Sequence, residues 1–393
     1  MSFASINTED KPIKILALSW RDIKSKGMGG AEILTHEMFK GATADGIEIT
    51  HISPLEEGLE QEEFIDGVRY IRHGNFFSVI LYALKYYKQH KKEYDFVIDQ
   101  CNTHRFFTPL WVERKKRILL IYQLTREIWD INLNFPLSKI GKVFETPMLR
   151  MYRHNIAITE SESTRRDLIN IGFEENDVHI VPIGIRKELA ARKFEHDISK
   201  SPFFVYVGRY SSYKGIDVSI EALGKIKNSY PNAKLWIVGK KNEDYIKNIL
   251  IPICNKYSLS LGDTEDNDIV TYGFVSDEKK EELQKKAKAL VFPSVREGWG
   301  MIVTEAGALG TPSITFDAPG ARDAIDFGRA GFICEHNSSD GIAAKMKQCI
   351  ENDEEYCDIS KKAYDFANTF SFKRSGEEFS RLISSMYKEL YGQ

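Results

Sequence analysis

"PSVREGWGMIVTEAGALGTP", Pro293 to Pro312, decides how the rest of the chain is read. It follows "ALVF", a short apolar run of the kind a buried parallel strand supplies. Pro293 halts that strand, "VREGWG" makes a tight loop at its carboxyl end, and the spacing predicts a helix over Met301–Leu309. Glu297 sits on the loop and Glu305 one turn into the helix, so two carboxylates from different elements can face one cavity. Unpaired amides at the start of that helix suit an anion. The acids suit hydroxyls, because bare phosphate beside two carboxylates is repelled. A ligand carrying both phosphate and sugar meets both demands. The plainer alternative, an acid complementing the helix dipole beside a surface acid, leaves the glycines without a use.

Working outward, β-branched runs alternate with longer helical patterns, the mark of parallel sheets covered by helices. The first half offers Ile13–Trp20, "IEITHIS", "YDFVID", Arg117–Tyr122, "NIAIT" and "VHIVP" as strands. Helices are expected over Ala31–Ala44, Leu137–Tyr152 and Glu162–Ile171, with Ser161 or Ser163 placed to cap the last. Periodicity lapses over 183–200 and restarts with "FFVYVG", "AKLWIVG", "DIVTYG", "KALVFPS", "PSITF" and "GFIC". The expected fold is α/β, with two Rossmann-like parallel-sheet domains facing a central cleft, at 1–185 and 186–370. An amphipathic helix over 371–393 either caps the second domain or returns to pack on the first, and the return is the preferred reading.

Bulk properties narrow the class. A chain of 393 residues with 42% hydrophobic and 28% charged content is that of a folded two-domain protein. Its net charge of -3 argues against a nucleic-acid binder. Cys101, Cys254, Cys334, Cys349 and Cys357 are odd in number and scattered, which suits reduced thiols better than a disulfide frame or zinc site. With no leader-like start and no run near the ~18 apolar residues a bilayer span needs, a cytoplasmic protein is expected.

Two further loops occupy strand ends, where open parallel sheets bind ligands. "RDIKSKGMGGAE" follows the first strand, and Gly29 and Gly30 let backbone approach a ligand before the helix begins. In "FFVYVGRYSSYKG", Gly208 closes a strand, and Arg209 and Lys214 are cations positioned to hold adjacent phosphates.

These stretches together resemble the retaining glycosyltransferases of family 4, the "glycosyl transferases group 1", which have the GT-B fold. "REGWGMIVTEAGALGTPSI" is similar to that family's Glu-(seven residues)-Glu motif. "GMGGAE", "ITESESTRRDL", "VPIGI" and "VGRYSSYKG" fall in the family's order, so the resemblance covers nearly the whole chain. It implies a nucleoside-diphosphate sugar as donor, held mainly by the second domain, and an acceptor held by the first. It implies catalytic roles for Glu297, Arg209 and Lys214, with Arg209 and Lys214 on the diphosphate, Glu305 on the ribose, and Glu297 with Gly298, Trp299, Gly300 and Met301 at the transferred sugar. Gly29, Gly30 and Gly208 would lie near the phosphates, and Phe274 and Val275 would line the base pocket. No cofactor and no metal are implied, and transfer would retain anomeric configuration, the leaving phosphate taking the acceptor proton. Tyr122 departs from the histidine many relatives carry at this strand end, and it cannot copy imidazole chemistry near neutral pH. With Gln123, Arg126 and Glu127 it forms the expected acceptor side.

The resulting expectation is a metal-independent transferase acting on a glycan, lipid-linked or protein-linked acceptor in cell-surface polysaccharide or glycoconjugate synthesis. The alternatives are a catalytically silent glycan-binding partner of another transferase, which Tyr122 alone favours, and a sugar-nucleotide epimerase. A nicotinamide dehydrogenase is disfavoured by the missing Gly-x-Gly-x-x-Gly. Peripheral contact with the inner face of the cell membrane is a further expectation, resting on the aromatics and on Lys85, Lys88, Lys91 and Lys92 of Asn75–Asp95.

Overall fold

The structure, a computed structural model, describes residues 11–101, 104–132, 135–190, 194 and 201–392. Of the expected lapse at 183–200, positions 191–193 and 195–200 lie outside the described residues.

The first sheet contains β1 (Lys14–Leu18), β2 (Glu48–Ser53), β3 (Glu62–Ile65), β4 (Val68–Arg72), β5 (Phe96–Cys101), β6 (Arg117–Ile121), β7 (Ile156–Thr159) and β8 (Val178–Ile180). Their spatial order is β3-β4-β2-β1-β5-β6-β7-β8. Every pair is parallel except the β3–β4 hairpin. The second sheet contains β9 (Phe203–Val207), β10 (Lys234–Val238), β11 (Leu261–Gly262), β12 (Ile269–Gly273), β13 (Ala289–Phe292), β14 (Ser313–Thr315) and β15 (Phe332–Ile333). All its pairs are parallel, in the order β11-β12-β10-β9-β13-β14-β15. Helices on both faces explain the continuous apolar strands: every residue of β5 and of β13 is buried. In each sheet the order reverses beside one strand, β1 in the first and β9 in the second. A crevice opens beyond the carboxyl ends at such a point.

The helices that bear on the site are α1 (Gly30–Ala44), α2 (Ser78–His90), α3 (Leu137–Arg150), α4 (Glu162–Asn170), α5 (Asp277–Lys286), α6 (Met301–Ala308), α7 (Asp353–Ala367) and α8 (Phe372–Tyr391). Ser161 caps α4, its hydroxyl accepting from the Thr164 amide. Helix α8 lies on α1 of the first domain, where Gly376 and Gly41 meet backbone to backbone and Phe379 packs on Phe39 with ring centroids 5.7 Å apart. One apolar cluster therefore runs from Ile15 and Phe39 through Phe379 to Phe204 and Leu290.

Candidate active site

Six strand ends converge on one cavity of about 670 Å³. From the first domain, β1 leads to the glycine loop, β5 to His104, β6 to Tyr122 and Gln123, and β7 to Glu160. From the second, β9 leads to Arg209 and Lys214, and β13 leads to the Glu297–Gly300 loop and the start of α6. The two walls touch. A Cβ on Gly29 would stand 3.2 Å from the Arg209 guanidinium, and one on Gly30 would stand 3.2 Å from the Met301 sulfur. A Cβ on Gly298 would fall 2.1 Å from Glu160 Oε1, so only glycine lets this backbone lie against the carboxyl. Gly300, at φ +106°, turns the loop into α6 in the left-handed region that glycine favours.

The charges are partly satisfied within the protein. Lys214 Nζ is ion-paired with Glu297, which also accepts from the Ser294 hydroxyl. Arg209 has no acid partner among the described residues and projects from the strand end. On the opposite wall Glu32 accepts from the Gly29 amide at 2.7 Å. One of the amides expected to meet an anion is therefore already committed to a carboxylate, and Gly30 and the α6 start remain the exposed backbone of the cavity.

Gly29, Gly30, Tyr122, Gln123, Arg209, Lys214, Glu297, Gly298, Trp299, Gly300 and Met301 all line the cavity. The Trp299 indole points away from it, donating to Thr304 Oγ1 at 2.8 Å and packing on Phe370, so this residue presents backbone to the cavity. Tyr122 does not offer its hydroxyl. Thr35 gives its own proton to the Ala31 carbonyl at 2.8 Å, so the 2.6 Å contact between Thr35 and Tyr122 uses the tyrosine proton. Gln123 Oε1 is buried with no hydrogen-bond partner among the described residues, an acceptor left for a ligand hydroxyl.

Six expected residues stand elsewhere. Glu305 turns to α5, where Lys280 reaches it at 2.9 Å; burial alone would lower the lysine's pKa, but the carboxylates of Glu305 and Asp277 raise it. Glu127 is held by Arg296 from the second domain, and Arg126 donates to Thr146 Oγ1 at 3.1 Å, so neither presents its charge to the cavity. Gly208 serves the ladder, its amide donating to the Val238 carbonyl at 3.0 Å. Phe274 is 89% exposed and Val275 packs on the core, both outside the cavity lining.

Two family models match the chain, one over each half. Residues 28–189 match the model described as Glycosyltransferase Family 4, and residues 190–366 match Glycosyl transferases group 1. The chain belongs to the group 1 glycosyltransferases. A capsular polysaccharide biosynthesis glycosyltransferase of Staphylococcus aureus is 29% identical over 253 residues, 60% of this chain and 63% of that protein. A glycogen synthase of Mycobacterium tuberculosis is 28% identical over 153 residues, 38% of this chain and 34% of that one. The chain thus matches less than two thirds of the length of these curated relatives. Solved structures extend the likeness end to end. Sucrose-phosphate synthase of Thermosynechococcus elongatus superposes with a TM-score of 0.74 over 97% of this chain and 99% of that one, at 16% identity. An Anabaena protein crystallised with UDP and glucose superposes at 0.68 over 95% of this chain and 100% of that one, at 20% identity. At these identities the shared property is the GT-B fold.

Within this group 1 frame, several cavity residues escaped the sequence. Glu160 is 4% exposed; burial, with the nearby Asp323 carboxylate, holds its pKa well above the carboxylate range, and its Oε2 has no hydrogen-bond partner among the described residues. His104 sits between Trp20 and Phe76, and burial with the adjacent Arg105 lowers its pKa to about 4, so it is neutral near pH 7. Arg21, anchored to the Gly27 carbonyl at 3.1 Å, adds a third cation to the lining. Each follows a strand, a position the sequence did mark, but which strand ends face one another is set by the meeting of two domains.

Among the described residues no group of three or more His, Cys, Asp or Glu is placed to hold a metal ion, and no helix is long and apolar enough to cross a membrane. None of the five cysteines is joined in a disulfide among the described residues.

Proposed function

We propose that this chain transfers a sugar, with retention at the anomeric carbon, from a nucleoside-diphosphate sugar to a glycan, lipid-linked or protein-linked acceptor in cell-surface polysaccharide or glycoconjugate synthesis. The observation that carries the reading is the convergence of Arg209, the Lys214–Glu297 pair and the Gly298–Met301 backbone on one cleft between two sheets. A diphosphate takes the place of Glu297 on Lys214 and gains the unpaired Arg209, so two cations neutralise the leaving group without a metal. Glu297, released from the lysine, becomes an acceptor for hydroxyls of the transferred sugar. Glu305, already anchored by Lys280, is held in register for a ribose if the nucleoside lies along α6. Gln123 Oε1 and Glu160 supply first-domain contacts to hydroxyls. With no protein nucleophile required, the cleft contributes positioning and stabilisation of the leaving diphosphate.

The test is thermal-shift screening against UDP-, GDP-, ADP- and dTDP-sugars, then turnover with the donor found. A ligand at a hundred times its Kd stabilises the native state by roughly 2.7 kcal/mol, enough to resolve. Arg209→Ala and Lys214→Ala are expected to cut turnover at least about tenfold, the loss of one charge-assisted contact in a desolvated site. Near-normal rates in both variants would remove these cations from the reaction.

A further inference from the structure

Helix α3 is amphipathic, yet much of its apolar side faces outward. Phe135 (76% exposed), Val143 (67%) and Phe144 (53%) stand in solvent, with Leu137 and Ile140 beside them. The polar side faces in. Glu145 is buried and accepts from the Thr125 amide at 2.5 Å, the Arg126 amide at 3.0 Å and the Trp129 indole at 3.2 Å. Gly141 lies against Trp129 so closely that a Cβ would come within 2.5 Å of the indole. These anchors fix the roll of the helix, so it cannot turn to bury its aliphatic residues without orphaning a buried carboxylate.

The exposed ionised groups of α3 itself have one sign, and the acid beside them, Asp130, pairs with Lys142. Lys139, Lys142 and Arg150 are the outward ionised groups of α3, in a chain whose net charge is -3. Lys139 lies over the Phe135 ring, 5.5 Å from its centroid, and Lys142 pairs with Asp130 beside the helix. An apolar stripe edged by long cations matches an anionic bilayer surface, the stems lying along acyl chains while the ammonium groups reach phosphates. A second copy of the same face is disfavoured, since it would bring cations onto cations. Helix α2, where membrane contact was expected from sequence, spends Val79, Ala83 and Tyr87 on the core and leaves only Phe77 and Leu81 as its exposed large apolar residues.

We propose that Phe135 and α3 seat this protein on an anionic membrane surface, with Leu137, Ile140, Val143 and Phe144 at the boundary between headgroups and acyl chains. Trp129, which packs beneath Gly141, also lines the cleft, so seating brings the cavity mouth beside the bilayer. That a lipid-linked acceptor enters from there rests on the glycosyltransferase reading; the docking itself does not.

The experiment is flotation of the full chain with vesicles of phosphatidylcholine, alone or with about a third phosphatidylglycerol. Flotation is expected with the anionic vesicles only. Val143→Glu with Phe144→Glu is expected to lower partitioning by roughly tenfold or more, and Lys139→Glu with Lys142→Glu by roughly fivefold per lysine. Leu81→Glu on α2 is expected to leave it unchanged. Serine replacements at Val143 and Phe144 repeat the test should the glutamates disturb folding, which circular dichroism checks. The proposal is overturned by absent flotation, by equal binding to neutral vesicles, by insensitivity to both apolar variants, or by a solution dimer that Val143→Glu dissociates. A chain that floats as expected but transfers no sugar upholds docking and removes the catalytic reading.

Discussion

Among the cleft side chains, Glu160 carries the greatest electrostatic tension. Its carboxyl is out of water, one oxygen lies against the Gly298 backbone and the other has no hydrogen-bond partner among the described residues. Burial comes first among the causes that raise its pKa, and repulsion from Asp323 adds to it. The unfolded chain releases this proton near the ordinary value of 4.5, while the folded chain keeps it longer, so the contribution to stability is full below that value and is lost as pH rises. Glu160→Gln keeps the shape and removes the ionisation. It is expected to raise the melting temperature near neutral pH by a few degrees, corresponding to roughly 1–3 kcal/mol for an unsatisfied buried polar group, and to lose that advantage at about pH 4. Calorimetry at the two pH values decides it, and an unchanged or lower transition at neutral pH contradicts the assignment. Nothing in "ITESES" distinguishes this glutamate from its neighbours, whereas Arg209, Lys214 and Glu297 were legible because a glycine or proline ends the strand before each loop.

Most of the strands were legible for the same reason: parallel strands buried on both faces are written as apolar runs, and twelve of the fifteen appear so. The β3–β4 hairpin was missed although Asp66 and Gly67, at φ +48° and +85°, are the Asp-Gly pair of a two-residue turn. β3 alternates exposed with half-buried residues and begins with two glutamates, while β4 breaks its apolar run with Arg69 and Arg72, so neither carries the apolar signature. Strand β11, two residues long, has no pattern to show. The C-terminal helix advertised its apolar stripe, but the surface receiving it depends on a pair of glycines far apart in sequence. A Cβ on Gly376 would stand 2.7 Å from the Gly41 Cα, which is backbone and cannot rotate away. Gly376→Leu gains about 1 kcal/mol in helix propensity and loses roughly 1–3 kcal/mol or more by overpacking, so separation of the helices is the expected outcome. Limited trypsin digestion then cuts at Lys373 and Arg374, and the melting transition falls. Wild-type digestion and melting would mean that the close approach contributes nothing to docking.

At the scale of the whole molecule, the cleft is held shut by contacts that no single domain contains. Arg296, on the loop between β13 and α6, donates to Glu127 Oε2 at 2.5 Å and to Asp167 Oδ2 at 2.6 Å, both in the first domain. Beside it the Asp323 carboxylate accepts from the Ser163 amide at 2.9 Å. Burial of Arg296 opposes its charge, but the two carboxylates outweigh it and its pKa is raised. The chain crosses between domains at two adjacent places, where Ser375 Oγ donates to the Pro182 carbonyl at 2.7 Å and Phe372 packs on Gly184. Two crossings side by side make a hinge, and Arg296 is a latch on its far side. Glu127 is more than half exposed, so solvent screens part of the interaction and the latch is worth roughly 1–3 kcal/mol, less than a fully buried pair. Removing the guanidinium also leaves Glu127 and Asp167 repelling one another. Arg296→Ala is therefore expected to shift the ligand-free protein toward an open cleft, seen as a radius of gyration larger by a few ångströms at most in solution scattering. A nucleotide sugar that stabilises the wild type is expected to restore the compact value, since it bridges the same two walls from within. Scattering curves that coincide for variant and wild type would show that packing at α1 and α8, and not this ion pair, sets the closure.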